Sequence, residues 1–335
     1  MQSSSANPAH LTRVGNLLFF SADDGSSGTE LWKSNGTPAG TVRVKDINTT
    51  FPGAASDPGN LIDVNGTLFF TANDGSSGIE LWKSNGTAAG TVRVKDIHPG
   101  VPDSAPSNLM NVNGTLFFTA NDGAHGIELW TSDGTPAGTV LVKDLYPGAP
   151  DSAPQAVTNV DGTLLFSAND GSTGRELWKS RGTADATLQV QNITSGTGSS
   201  DPAGFTVLGT SVYFSAADDT SGDELWALAR TDLNFAPTAS GTALTTAINT
   251  PISGTLSASD PDQNPLVFSI VTNGSKGSAV ITDPATGAFT YTPGADAIGG
   301  DSFTFKVNDG QVDSNVATVT ITIQGPKIYL PLIRR

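Results

Sequence analysis

The side chains best able to do chemistry in this chain are carboxylates, and they come in two arrangements. Three oxygen donors crowd into the stretch DPDQN as Asp260, Asp262 and Asn264, and a fourth, Asp309, stands in NDG. Hard oxygen ligands of this kind suit calcium. The other arrangement recurs. Glu30, Glu80, Glu128, Glu176 and Glu224 each precede Leu-Trp. Gly28, Gly78, Gly126, Gly174 and Gly222 stand two places before them, and Asp24, Asp74, Asp122, Asp170 and Asp218 six places before. A catalytic centre is normally one asymmetric constellation, not five equal ones. The simpler reading is a scaffold, in which the glutamate accepts backbone N–H groups from a turn and the aspartate closes an Asx-turn. Five equivalent loop sites for calcium or a sugar are the competing reading, and the absence of a DxDxDG loop weakens it.

The remaining candidates are bland. His10, His98 and His125 have no triad or ligand partner near them in sequence and read as solvated surface residues. Asn35, Asn65, Asn85 and Asn113 each open an NGT sequon, a pattern that also fits glycosylation, but Asn-Gly is better explained as a hairpin turn. With no cysteine, disulfides and thiolate metal sites are excluded.

The elements that must position these residues follow from the repeat. All five tryptophans, Trp32, Trp82, Trp130, Trp178 and Trp226, occupy the same motif at spacings of 50, 48, 48 and 48. One unit, read from Asn60, divides into NLIDVNG, TLFFTANDG, IELWKSNG and TVRVKDI. Asn-Gly and Asp-Gly at the boundaries tolerate positive φ and favour hairpins, so each unit predicts four antiparallel strands. Leu68–Phe70 is apolar at consecutive positions and predicts a strand covered on both faces. TVRVKDI alternates, with Val92 and Val94 on one side and Arg93 and Lys95 on a wet one. Sheets stacked around an axis meet both demands, which is the logic of a β-propeller. Each tryptophan, burying roughly 150–250 Å², would then fill the gap between neighbouring blades. Five blades are expected, the last incomplete because ALARTDLNFAP after Trp226 has no TVRVKD equivalent. A fragment of a larger ring is the alternative.

Composition agrees with an all-β chain. Among 335 residues there are 38 glycines and 20 prolines, and only 15% are charged, a profile that favours strands and turns over helices. The net charge of −15 repels phosphate backbones and argues against nucleic acid as a partner. No run of about 18 apolar residues exists, so no membrane span is expected. MQSSSANPAHL has neither a basic region nor an apolar core and does not read as a signal peptide. The tail IYLPLI is too short to span, and the prolines in its neighbourhood, Pro326 and Pro331, oppose a helix.

The stretches ELWKSNGTAAGTVRVKDI and ELWTSDGTPAGTVLVKDL resemble the bacterial ELWxxDGT repeat family over about residues 10–230. That resemblance implies large secreted or surface proteins with propeller-like repeats and no established enzymatic activity. Only the third copy keeps SDGT, at Ser132–Thr135; the first two read SNGT, the fourth SRGT and the fifth ALAR.

Beyond the linker NFAPTA, seven alternating strands between about 238 and 323 fit an immunoglobulin-like sandwich, held by packing alone in the absence of cysteine. The stretches SGTLSASDPDQNPLVFSIV, TGAFTYTP and GGDSFTFKVNDGQVDSNVATVTITI resemble bacterial cadherin-like and VCBS-type modules over about 234–324. Such modules commonly serve as stalks or adhesive tandem units, and some bind calcium. In this fold the loop at 260–264 and the loop at 308–310 lie at one end, where the linker also enters. Asp260, Asp262, Asp309 and Asn264 are therefore expected to converge on one calcium ion there; plain turn chemistry explains the same residues without a cation.

The expected organisation is a repeat propeller over residues 1–232, an Ig-like sandwich over 233–325 and a short tail over 326–335. The expected role is non-catalytic: a secreted or cell-surface scaffold for adhesion, with glycans or matrix proteins as partners and no required cofactor apart from optional calcium. A lectin-like propeller and the accessory region of a secreted enzyme are the alternatives.

Overall fold

A computed structural model of the chain describes residues 5–326. The tail stretch IYLPLI lies outside the described residues. The backbone is built of strands, with one short 3-10 turn at Arg230–Leu233. The chain divides into two compact units, Met1–Leu233 and Asn234–Arg335.

The first unit is a series of five antiparallel sheets, each wound in sequence order. Sheet 1 comprises Ala9–Val14, Leu17–Asp23, Thr29–Ser34 and Val42–Lys45. Sheet 2 comprises Gly59–Val64, Thr67–Asn73, Ile79–Ser84 and Val92–Arg93. Sheet 3 comprises Ser107–Val112, Thr115–Asn121, Ile127–Ser132 and Val140–Lys143. Sheet 4 comprises Gln155–Val160, Thr163–Asn169, Arg175–Ser180 and Thr187–Gln191. Sheet 5 has only three strands, Ala203–Leu208, Ser211–Asp218 and Gly222–Ala229. The turns follow the sequence signals: Asn65 and Gly66 both have positive φ, at 52° and 82°, and close a two-residue hairpin between Val64 and Thr67.

Each sheet packs its face on the next. Val14, Phe19, Leu31 and Val44 of sheet 1, with Ile47 from the linker, bury against Leu68, Phe70, Ala72 and Trp82 of sheet 2. The second strand of sheet 2 serves both neighbours, since Phe69 turns to sheet 3 while Leu68 and Phe70 face sheet 1. This is why three consecutive apolar residues are needed there. The same junction recurs between sheets 2 and 3, 3 and 4, and 4 and 5. Trp82, Trp130 and Trp178 are buried in it, while Trp32 and Trp226 are half-buried.

The wet face expected for TVRVKDI is not found. Val94 is buried and Val92 partly exposed, whereas Lys95 crosses to the next sheet. Its Nζ donates to the Thr139 carbonyl at 2.7 Å and sits 5.6 Å above the Trp130 ring. A long aliphatic stem lets lysine cover apolar surface while its charge finds a carbonyl and a π-face.

The series has two open ends among the described residues. Leu31, Leu81, Leu129 and Leu177 are at most 1% exposed, but their counterpart Leu225 on sheet 5 is 76% exposed. Leu68, Leu116 and Leu164 are fully buried, but Leu18 on sheet 1 is 37% exposed.

The second unit is an Ig-like sandwich. One sheet runs in the order Thr242–Ala247, Ala317–Gln324, Gly299–Asn308 and Val267–Thr272, its first pair parallel. The facing sheet runs Ile252–Thr255, Ala288–Pro293 and Gly277–Asp283. Between them Phe268, Phe289, Tyr291, Phe303, Phe305, Val307, Val319, Ile321 and Ile323 form the core. Along Ala317–Gln324 burial alternates residue by residue, as the sequence pattern requires. Two of the seven expected strands are split. The first breaks at Gly241, where a Cβ would come within 2.5 Å of the Thr318 carbonyl, and its two halves, Thr238–Ser240 and Thr242–Ala247, join different sheets. The second breaks at Leu256, which turns into the core and donates its N–H to the Gly287 carbonyl.

Candidate functional site

The repeated glutamates are clasps. Each is set on the third strand opposite an alanine of the second, as Glu80 is opposite Ala72, and is completely buried in sheets 1 to 4. Glu80 Oε2 accepts the Ile97 N–H at 3.0 Å and the Ser104 hydroxyl at 2.6 Å, and Oε1 accepts the Ser104 N–H at 3.1 Å. Glu30 holds Ile47 and Ser56 in the same way, Glu128 holds Leu145 and Ser152, and Glu176 holds Ile193 and Ser200. Every carboxylate thus fastens the linker that leads to the following sheet. Glu224, which has no following sheet, is exposed.

The glycine two places earlier lets that linker pass. Gly78 has φ +68°, and a Cβ there would lie 2.5 Å from the Pro102 carbonyl oxygen; at Gly126 the corresponding distance to Pro150 is 2.4 Å. Gly222 has φ +76° but open space around it. Gly126→Ala is therefore expected to cost about 1–3 kcal/mol for the backbone strain and more for the clash. Gly222→Ala should cost only the strain, and paired urea melts of the two variants measure the difference.

The aspartates close Asx-turns: Asp74 Oδ1 accepts the Ser76 and Ser77 N–H groups at 2.9 Å each. Hydrogen bonds from Ser26 and Ser27 hold the Asp24 carboxyl well below the usual carboxylate range. His98 is half-buried over Gly123, against the expectation of a solvated residue, whereas His10 is exposed and the His125 side chain stays 40% exposed with Nδ1 2.8 Å from Asp122 Oδ2.

Burial pushes Glu128 up from its ordinary 4.5 to about 7, against the opposing hydrogen bonds from Ser152 and Leu145. Between those values the folded chain holds a proton that the unfolded chain has released. Its contribution is then full below pH about 4.5 and lost as the pH rises to about 7. Asp24, whose pKa is lowered, acts in the opposite sense and loses its contribution as the pH falls. The melting temperature should peak in the mildly acidic range, and Glu128→Gln should flatten the decline on its neutral side.

In the second unit, residue 234 gathers the calcium candidates. Asn234 Nδ2 donates to Asp309 Oδ2 at 2.7 Å, and Asn234 Oδ1 accepts from Asn264 Nδ2 at 3.0 Å and Gln311 Nε2 at 3.2 Å. The Phe235 N–H donates to Asp262 Oδ2 at 2.5 Å. Asp260 Oδ1 accepts the Asn264 N–H at 3.0 Å, and Asp260 Oδ2 is out of water with no hydrogen-bond partner. Burial pushes the Asp309 carboxyl up, but bonds from Asn234, Val312 and Gln311 outweigh it and hold it below the usual range. The loops at 260–264 and 308–312 do come together, around an amide. Among the described residues no three His, Cys, Asp or Glu side chains form a metal-holding group.

Several participants escaped the sequence reading: the linker serines Ser56, Ser104, Ser152 and Ser200, the crossing lysines Lys45, Lys95 and Lys143, and Asn234. The serines had a signal, since Ser-x-Pro recurs every 48 residues ahead of the first strands of sheets 2 to 5.

Residues 234–322 match the family described as the bacterial Ig domain. No curated protein matches the chain. Among solved structures, a nucleoside hydrolase-related protein from Saccharophagus degradans is 21% identical over 28% of this chain and 27% of its own, with a TM-score of 0.23. A prolyl endopeptidase is 12% identical over 94% of this chain and 46% of its own, with a TM-score of 0.42. The human mucin-like protocadherin EC1-2 is 12% identical over 36% of this chain and 78% of its own, with a TM-score of 0.22. The chain spans less than half the length of the first two, and at these scores none of the likenesses carries an argument about activity. No helix among the described residues is long and apolar enough to cross a membrane, which says nothing of spans made of strands.

Proposed function

We propose that this chain is a non-catalytic extracellular or cell-surface scaffold of the ELWxxDGT-repeat type, in which propeller-like sheets are joined to an Ig-like adhesive module. One observation supports this above the rest. The carboxylates that recur and could have done chemistry, Glu30, Glu80, Glu128 and Glu176, are fully buried and saturated by donors of their own chain. Three of the five tryptophans a lectin would need as stacking platforms are also occupied, with Lys45, Lys95 and Lys143 lying over Trp82, Trp130 and Trp178, while Trp32 and Trp226 stay half-buried. Screening the purified chain on a glycan array and a panel of matrix proteins, beside chromogenic glycoside and peptide substrates, tests the reading. Surface binding without turnover supports it; hydrolysis of any substrate overturns it, and glycan binding with a change in tryptophan fluorescence favours the lectin alternative.

Calcium is part of the proposal. The donor set of Asp260, Asp262, Asn264 and Asp309 is all oxygen, and Asp260 Oδ2 has no partner of its own. The Asn234 amide would have to turn its oxygen, rather than its NH2, toward such an ion. Calcium should raise the melting temperature of the wild type and not that of an Asp260→Ala, Asp262→Ala double variant. Equal melting in calcium and in chelator removes the ion from the proposal.

A further inference from the structure

We infer that the two open sheet faces of the first unit bind one another between copies of this chain, sheet 5 of one copy covering sheet 1 of the next. The four internal junctions show what each half requires. The leading half presents residues such as Val14, Phe19 and Leu31, and the trailing half residues such as Leu68, Phe70 and Trp82. Sheet 5 ends the series with an uncovered leading half: Leu208 is 69% exposed, Leu225 76% exposed, and Tyr213 half-buried beside a shallow hollow lined by Gly204, Thr206 and Ser215. Sheet 1 begins it with an uncovered trailing half, namely Leu18, Phe20 and Trp32. Contiguous apolar surface of this kind on a soluble chain marks an interaction site. A second copy of the chain carries the matching half, and the occupied junctions fix how the halves meet.

The polar contacts fix its strength. Glu224 stands exposed where its counterparts clasp a linker. The linker position ahead of sheet 1 is Ala6, whose carbonyl accepts the Asp23 N–H as the Ser56 carbonyl accepts that of Asn73. Ala6 offers Glu224 an N–H but no hydroxyl, so the clasp between copies has one donor fewer. Sheet 5 also lacks a fourth strand, so no lysine arrives over Trp32. The contact between copies is therefore a weakened version of the internal one, and it forms reversibly. It is head-to-tail rather than twofold, so nothing in it limits association to pairs.

Sedimentation velocity on the full chain tests this, using Leu18→Glu and Leu225→Glu, two substitutions at exposed positions whose retained folding circular dichroism verifies. The wild type should gain mass with concentration, and each variant alone should stay a monomer. An equimolar mixture of the two should form dimers and stop there, because each variant keeps one intact half. A wild type that is monomeric at every concentration, variants that associate as the wild type does, or a mixture that remains monomeric overturns the inference.

Discussion

Glu128→Ala should lower the melting temperature of the first unit by roughly 10 °C, and Glu224→Ala should leave it unchanged. The two residues hold the same place in the repeat. Glu128 is fully buried and accepts the N–H groups of Leu145 and Ser152 and the Ser152 hydroxyl at 2.5 Å. Alanine strands two buried N–H donors, at about 1–3 kcal/mol each. At about 2–4 °C per kcal/mol in a domain of this size, a total of about 3 kcal/mol lowers the melting temperature by roughly 10 °C. Within its own copy Glu224 is exposed and clasps nothing, so its truncation should cost the monomer no more than about 0.5 kcal/mol. Differential scanning calorimetry of both variants decides it. Equal shifts would mean that the carboxylate acts through something other than the linker it holds.

Leu129→Ala should be as damaging, and Leu225→Ala harmless to folding. Leu129 is 1% exposed among Phe117, Val142, Leu164 and Phe166 at the junction of sheets 3 and 4. Removing it leaves a cavity that close-packed neighbours fill only in part, at a cost of about 2–5 kcal/mol. Leu225 is 76% exposed, so truncation creates no cavity. Chemical denaturation with unchanged m-values would confirm that stability alone differs. A large loss for Leu225→Ala would show that its face is covered in solution, which the sedimentation series would report independently.

Much of this architecture could be read from local patterns. Turn pairs such as Asn65-Gly66 fixed where strands reverse, and the apolar triplet at Leu68 announced a strand covered on both sides. Alternation in ATVTITI identified a sandwich strand. The roles of Glu80 as an acceptor of backbone N–H groups and of Asp74 as an Asx-turn former were equally legible. What escaped depends on partners far along the chain. Lys95 looks solvated in an alternating strand, yet its contacts lie 44 residues away at Thr139. Glu80 shows no preference for Ser104 until the linker is folded over Gly78. The open ends were hidden too, because exposure of Leu18 and Leu225 is decided by which sheet follows, not by their own motif. Around residue 234, aspartates in turn-forming loops read alike whether an ion or an amide gathers them.

The clasps point one way along the chain, and this gives biosynthesis a direction. In each case the carboxylate is made first and its main donor 24 to 26 residues later, as with Glu80 and Ser104 or Glu30 and Ser56. A nascent sheet leaving the ribosome therefore carries an unfastened acid until the start of its successor emerges. Maturation should advance like a zip from the amino end, each step sealing the charge left open by the one before.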